Sequence, residues 1–166
     1  MNDFNLDLEW SLNTGTDKTL NDLYHRAFPH LREIIAVKDL KLQIAGIDKI
    51  LLMDCGKKVL VDEKIRRSDY GDILLEEYSD FDRKKVGWIG RTKFTDYIVY
   101  YVVPTKKVYL LPFLILQKAW LANYQDWLKL FGRKFAQNKN YKTSNIPVPV
   151  EELLAAIKTE ICADTL

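Results

Sequence analysis

Apolar residues first fall into register at Leu20, where Leu20, Leu23, Tyr24, Ala27, Leu31, Ile34 and Ile35 recur at intervals of three and four. That spacing predicts one face of a helix, kinked or divided in two at Pro29. The pattern then changes to compact apolar runs. "IDKILLM" and "KVLVDEKI" read as two strands around "DCGK", where Gly56 supplies positive φ at no steric cost. "DILLEEY" (72–78) is a third strand. "FTDYIVYYVV", almost wholly β-branched and aromatic, predicts a central strand buried on both faces, and "KVYLL" its antiparallel partner. From Pro112 a long helix carries Phe113, Leu116, Trp120, Tyr124, Trp127, Phe131 and Phe135 on one broad face, with Gly132 as a stop signal. A polar basic loop spans 137–147. A last helix covers 149–162, with Glu151 and Glu152 in its first turn. Residues 1–17 read as a loosely held lead-in.

This order of elements predicts an α/β (α+β) domain with a central mixed sheet flanked by helices in three layers. The length of 166 residues suits a single domain with its own core. No apolar run is long enough to span a bilayer, so the expected location is the cytoplasm and no membrane partner is expected. Two cysteines and two histidines make a zinc site or disulfide framework improbable. A formal charge of +2 means that affinity for nucleic acid would come from local patches.

The chemistry concentrates in residues 46–67, "GIDKILLMDCGKKVLVDEKIRR". Asp62 and Lys64 share one face of the second strand, since residues two apart point the same way. Asp48 sits across the turn, and its partner depends on loop parity. A two- or four-residue loop opposes it to Glu63; a three-residue loop or a bulge opposes it to Asp62. In the second case two carboxylates converge beside an ammonium, and a hard divalent cation, Mg²⁺ or Mn²⁺, would compensate them while polarising a phosphate. An exposed surface ion pair of Asp62 with Lys64 would read identically in sequence.

The stretch resembles the PD-(D/E)XK nuclease superfamily, whose core of helix, three strands, helix, strand places an acidic residue on one strand and Asp or Glu, any residue, then Lys on the next. Asp48 and the "DEK" of residues 62–64 match that pattern, with 13 residues between the aspartates. No proline precedes Asp48, and a Gly-containing charged connector stands where the family has a helix. The similarity covers about residues 18–130, and "GWIG...TDYIVYY...VYLLPF" is similar to phage and mobile-element members. The resemblance implies a restriction-endonuclease-like fold and metal-dependent hydrolysis of DNA. Asp48 and Asp62 would hold Mg²⁺ or Mn²⁺, the Glu63 carbonyl would add a ligand, and Lys64 would serve the attacking water. Glu76 on the third strand would face the same site. Asp22 or Glu33 could supply the helix acid of some relatives. A homodimer would serve to cut both strands.

Arg66, Arg67, Lys84, Lys85 and Arg91 are the expected phosphate contacts. Trp88, between two glycines of the connector, is the one aromatic expected to touch a ligand; the other rings read as core. The alternative is a catalytically inactive module of the same fold that binds nucleic acid or a protein.

Overall fold

The computed structural model describes residues 18–91 and 93–163. The expected lead-in, 1–17, lies outside the described residues. The architecture is mixed α/β, with a five-stranded mixed sheet, a second sheet of four strands, and helices packed on them. The described residues form two compact units, each assembled from two segments.

The unit built from 18–69 and 93–113 begins with helix α1 (Lys18–Ala27), whose Leu20 and Tyr24 are completely buried one turn apart. Pro29 forbids its continuation. The chain continues as a strand, β1 (Leu31–Ala36), and not as the second half of a helix. The reason is a β-bulge between Leu31 and Glu33, where β1 gains a residue on its partner. A bulge resets strand parity, so Leu31 and Ile34, three apart, both pack on the core. Their spacing imitated a helix.

A short helix, α2 (Leu40–Ile44), capped by Asp39 accepting from the Lys41 and Leu42 N–H groups, leads into β2 (Lys49–Met53). β3 (Lys58–Arg66) returns antiparallel. β6 (Tyr97–Val102) then lies parallel to β3, and β7 (Lys107–Pro112) closes the order β1-β2-β3-β6-β7. Ile98 to Val102 are all buried, as the unbroken apolar run of β6 requires. Leu20 and Tyr24 of α1 pack with Leu51, Val59, Val61, Val99 and Tyr101 in one core cluster. The odd-numbered side chains of β2 and β3 therefore face α1, and the even-numbered ones face away.

The unit built from 70–91 and 114–163 contains the strands β4 (Asp72–Asp80), β5 (Lys85–Val86), β8 (Lys134–Gln137) and β9 (Lys142–Pro149). They form an antiparallel sheet of order β5-β4-β9-β8. "DILLEEY" is thus a strand of this second sheet. Residues 142–149, expected as loop as far as 147, bury Ser144, Ile146 and Val148 in strict alternation. Polar residues and two prolines, Pro147 and Pro149, hid that period. Helix α3 (Phe113–Phe131) stops at Gly132, φ 64°, so Phe135 belongs to β8 and not to the helical stripe. Leu153 and Ile157 of α4 (Val150–Ala163) are buried, with Ile73 and Leu75 of β4 and Ile146 and Val148 of β9 forming the apolar layer of the sheet.

Candidate active site on the second and third strands

The turn between β2 and β3 settles the parity of Asp48. Met53 N–H donates to Lys57 across a three-residue loop, Asp54 to Gly56, and Gly56 takes φ 83°. Lys49, the first residue of β2, is paired with Val61, and Asp48 just ahead of it lies beside Asp62. The Asp48 N–H donates to the Val61 carbonyl at 2.8 Å, and its Oδ2 accepts the Glu63 N–H at 2.8 Å. The β2 ladder ends there while β3 continues to Arg66, leaving a notch at the strand edge. Because the N–H and C=O of a strand residue point the same way, the Glu63 carbonyl faces that notch too.

Asp62 is 1% exposed. One carboxylate oxygen is bound by the Lys64 ammonium and the other by that of Lys93. Burial works to raise the Asp62 carboxyl, but the two ammoniums overcome it and hold it below the usual carboxylate range. Asp48 goes the other way. Burial, then the neighbouring Asp62 charge, push it up to about 6. Burial and then repulsion from Lys64 lower the Lys93 ammonium. Its side chain is only 6% exposed, and it fills the space that a Cβ on Gly46 would occupy.

On the opposite face of β3 the Glu63 carboxylate accepts from the buried Tyr24 hydroxyl at 2.6 Å. Burial raises it to about 7, against the pull of Lys49 and the Tyr24 hydrogen bond. The Glu63 side chain is therefore engaged with α1, and only its backbone faces the notch.

The structure thus brings Asp48, Asp62 and Lys64 together and adds Lys93, 31 residues downstream of Asp62. Glu76 stands on β4 in the other unit, where its carboxylate accepts the Trp88 N–H at 3.1 Å. Trp88 is buried, not presented to a ligand, because Gly87 lets the connector lie against the Glu76 backbone: a Cβ there would come within 1.9 Å of the Glu76 carbonyl oxygen. Of the acids proposed for a first helix, Asp22 is exposed on α1 and Glu33 lies on β1.

Arg66 ends β3 and donates to the Tyr100 hydroxyl at 3.3 Å, with Arg67 exposed beside it. Lys84 is exposed in the β4–β5 turn and Lys85 is exposed at the start of β5. Arg91 has a structural employment, donating to the Val86 carbonyl and the Ser79 hydroxyl, both at 2.7 Å.

Among the described residues no three His, Cys, Asp or Glu side chains are grouped to hold a metal ion. Two carboxylates and a backbone carbonyl are nevertheless hard oxygen donors, and Mg²⁺ commonly takes one or two carboxylates and fills its shell with water and phosphate oxygens. The donor set fits Mg²⁺ or Mn²⁺ on those terms.

No protein-family model and no curated protein matches the chain. Among solved structures it is similar to one described as "Structure of D212, a nuclease from a fusselovirus", with a TM-score of 0.39 and 15% identity over 98% of this chain and 97% of that one. A likeness of that degree carries no argument, and the functional reading rests on the geometry. No helix among the described residues is long and apolar enough to cross a membrane.

Proposed function

We propose that the protein is a divalent-cation-dependent nuclease of the PD-(D/E)XK type that hydrolyses phosphodiester bonds in DNA. One observation carries the reading: Asp48, just ahead of β2, stands beside Asp62 of β3, with Lys64 bound to Asp62 on the same face. The surrounding order supports it. Helix α1, the antiparallel trio β1-β2-β3 and a following parallel strand, β6, repeat the core that the sequence resembles, with residues 67–96 standing in place of the crossing helix.

In this reading Asp48 and Asp62 hold Mg²⁺, and the Glu63 carbonyl adds a ligand from the notch. The ion, when bound, polarises the scissile phosphate and acidifies a bound water. Lys64 orients the attacking water and offsets negative charge growing on the phosphorane oxygens. The Glu63 N–H fixes the Asp48 carboxylate, so that its second oxygen is aimed and not free to rotate.

The inactive-module reading also has an observation behind it. Lys64 and Lys93 already occupy both oxygens of Asp62, so two acids and two ammoniums cancel without an ion. Nicking of supercoiled plasmid with and without Mg²⁺ separates the two. Wild type is expected to nick only with the ion, and Asp62→Asn and Lys64→Ala to lose the activity. Nicking that persists in both variants refutes the site; a protein that never nicks DNA, and whose melting temperature is indifferent to Mg²⁺ and Mn²⁺, is the module.

A further inference from the structure

The second unit carries a surface that the proposed active site does not use. Three rings form an edge-to-face chain across its sheet: Tyr78 and Phe81 lie 5.8 Å apart between centroids, and Phe81 and Phe135 5.0 Å apart. Tyr78 of β4 and Phe135 of β8 are both paired with Ser144 of the β9 strand between them, so the chain follows one row of the sheet. The row ends in the open, with Phe135 52% exposed on the edge strand.

Cations stand over these rings. The Lys84 ammonium is 3.9 Å from the Phe81 centroid and 5.1 Å from that of Tyr78, and Lys142 is 5.3 Å from Phe81 and 5.7 Å from Phe135. The charge is one-sided in sequence as well: residues 127–150 include five basic residues and no acidic one. Arg133 is consumed by the buried Glu77, at 2.6 and 2.7 Å. Lys142 meets Asp82 at 3.2 Å, but Asp82 is well exposed, and a pair of that kind is worth little and exchanges readily for a phosphate.

Phe135 is an exposed ring with Lys142 beside it and Lys84 over the next ring in the row, an arrangement that suits a partner both flat-faced and anionic. Single-stranded nucleic acid has both properties. Its bases stack on aromatic faces without regard to sequence, while its phosphates follow a basic track. A duplex keeps its bases stacked inside and could use only the cations.

We propose that the β8–β9 hairpin and the β4–β5 turn form a binding platform for single-stranded DNA, with Phe135 as the stacking surface and Lys84 and Lys142 as phosphate contacts. The surface stands apart from the nuclease reading; only the choice of DNA over RNA rests on that reading.

The test is fluorescence anisotropy of a labelled oligothymidine strand in EDTA, where no cleavage runs, across a series of salt concentrations. Wild type is expected to bind the single strand more tightly than a duplex of equal length and than oligouridine. Phe135→Ala weakens binding roughly tenfold, the loss of one stacked base. The Lys84→Gln, Lys142→Gln double variant, a second probe that removes no ring, reduces the slope of log K against log salt by about 1.4, about 0.7 for each phosphate no longer neutralised. Circular dichroism checks that both variants fold. Absence of binding, equal binding to duplex or to oligouridine, or unchanged binding by both variants overturns the proposal. A protein that binds the strand in EDTA yet never nicks DNA in Mg²⁺ refutes the nuclease reading alone; one that nicks but does not bind the strand refutes this inference alone.

Discussion

At the residue scale the decisive group is Asp62, because the buried Lys93 ammonium and the half-buried one of Lys64 both depend on it. Removing one partner of a buried ion pair strands the other charge at a cost of about 3–5 kcal/mol. Asp62→Asn is therefore expected to lower the urea midpoint well beyond a surface change, and Lys93→Met added to it to recover most of the loss. A double variant no more stable than Asp62→Asn would mean that Lys93 is not held by that carboxylate. Lys64 is less buried, and Lys64→Ala is expected to fold normally while nicking about 10²–10³ times more slowly. Glu63 gives a pH signature. Its folded value of about 7 lies above the usual carboxylate value of 4.5, so its contribution to stability is complete below pH 4.5 and is lost as pH rises through 7. In EDTA, Glu63→Gln should flatten the decline of unfolding free energy between pH 4.5 and 7; an unchanged slope would show that Glu63 titrates normally. The "DEK" triplet was plain in the sequence, but Lys93 was not. No local pattern links Lys93 to Asp62, and only the return of the chain beside β3 at Thr95 and Asp96, which bond Leu60, brings it there.

At the scale of elements, what was legible depended on whether a strand showed an apolar pattern proper to strands. β2, β3, β6 and β7 did, by alternation or as one unbroken apolar run, and the sequence showed each of them. β1 did not, because its bulge put Leu31 and Ile34 on one face and so wrote a helical spacing into a strand. The parity of Asp48 was open for a related reason: a single residue of loop length decides which acid faces which, and nothing in "DCGK" fixes the hydrogen bond that Met53 and Lys57 make. The two glycine-dependent turns differ in what they tolerate. At Gly56 a Cβ would meet nothing within 4 Å, so Gly56→Ala pays only for left-handed φ, about 1 kcal/mol. At Gly87 the added carbon collides with the Glu76 backbone, which cannot yield without breaking the bond from Gly87 N–H to the Glu77 carbonyl. Gly87→Ala should cost about 3 kcal/mol or more in denaturant unfolding, well above Gly56→Ala. Equal costs would show that the connector does not lie against β4 as described.

At the scale of the whole molecule, neither unit is a continuous piece of chain, and this is why the sequence read as one domain with one sheet. The strand pair β4–β9 joins Asp72 to Pro149, and β3–β6 joins Val61 to Tyr97, so each unit closes only after chain belonging to the other has been made. The anchor of the β4–β9 unit is Glu77, a buried carboxylate that accepts from Tyr124, from Arg133 twice and from Ser144 at 2.9 Å. Those donors come from α3, the segment after it and β9, so one side chain ties together segments that are remote in sequence. Glu77→Gln keeps the shape but removes the charge that Arg133 answers, at a cost of about 2 kcal/mol, the scale of a charged hydrogen bond. If the units open separately, hydrogen exchange in that variant should accelerate roughly thirtyfold in the ladders of β4 and β9 while β2, β3 and β6 keep wild-type protection. Uniform acceleration through both sheets would instead make the protein a single cooperative body. The contrast bears on the proposed function, because if the unit of β2, β3 and β6 carries the activity and keeps its protection when the other unit loosens, Glu77→Gln should still nick plasmid at the wild-type rate, and the two measurements together decide how independent the halves are.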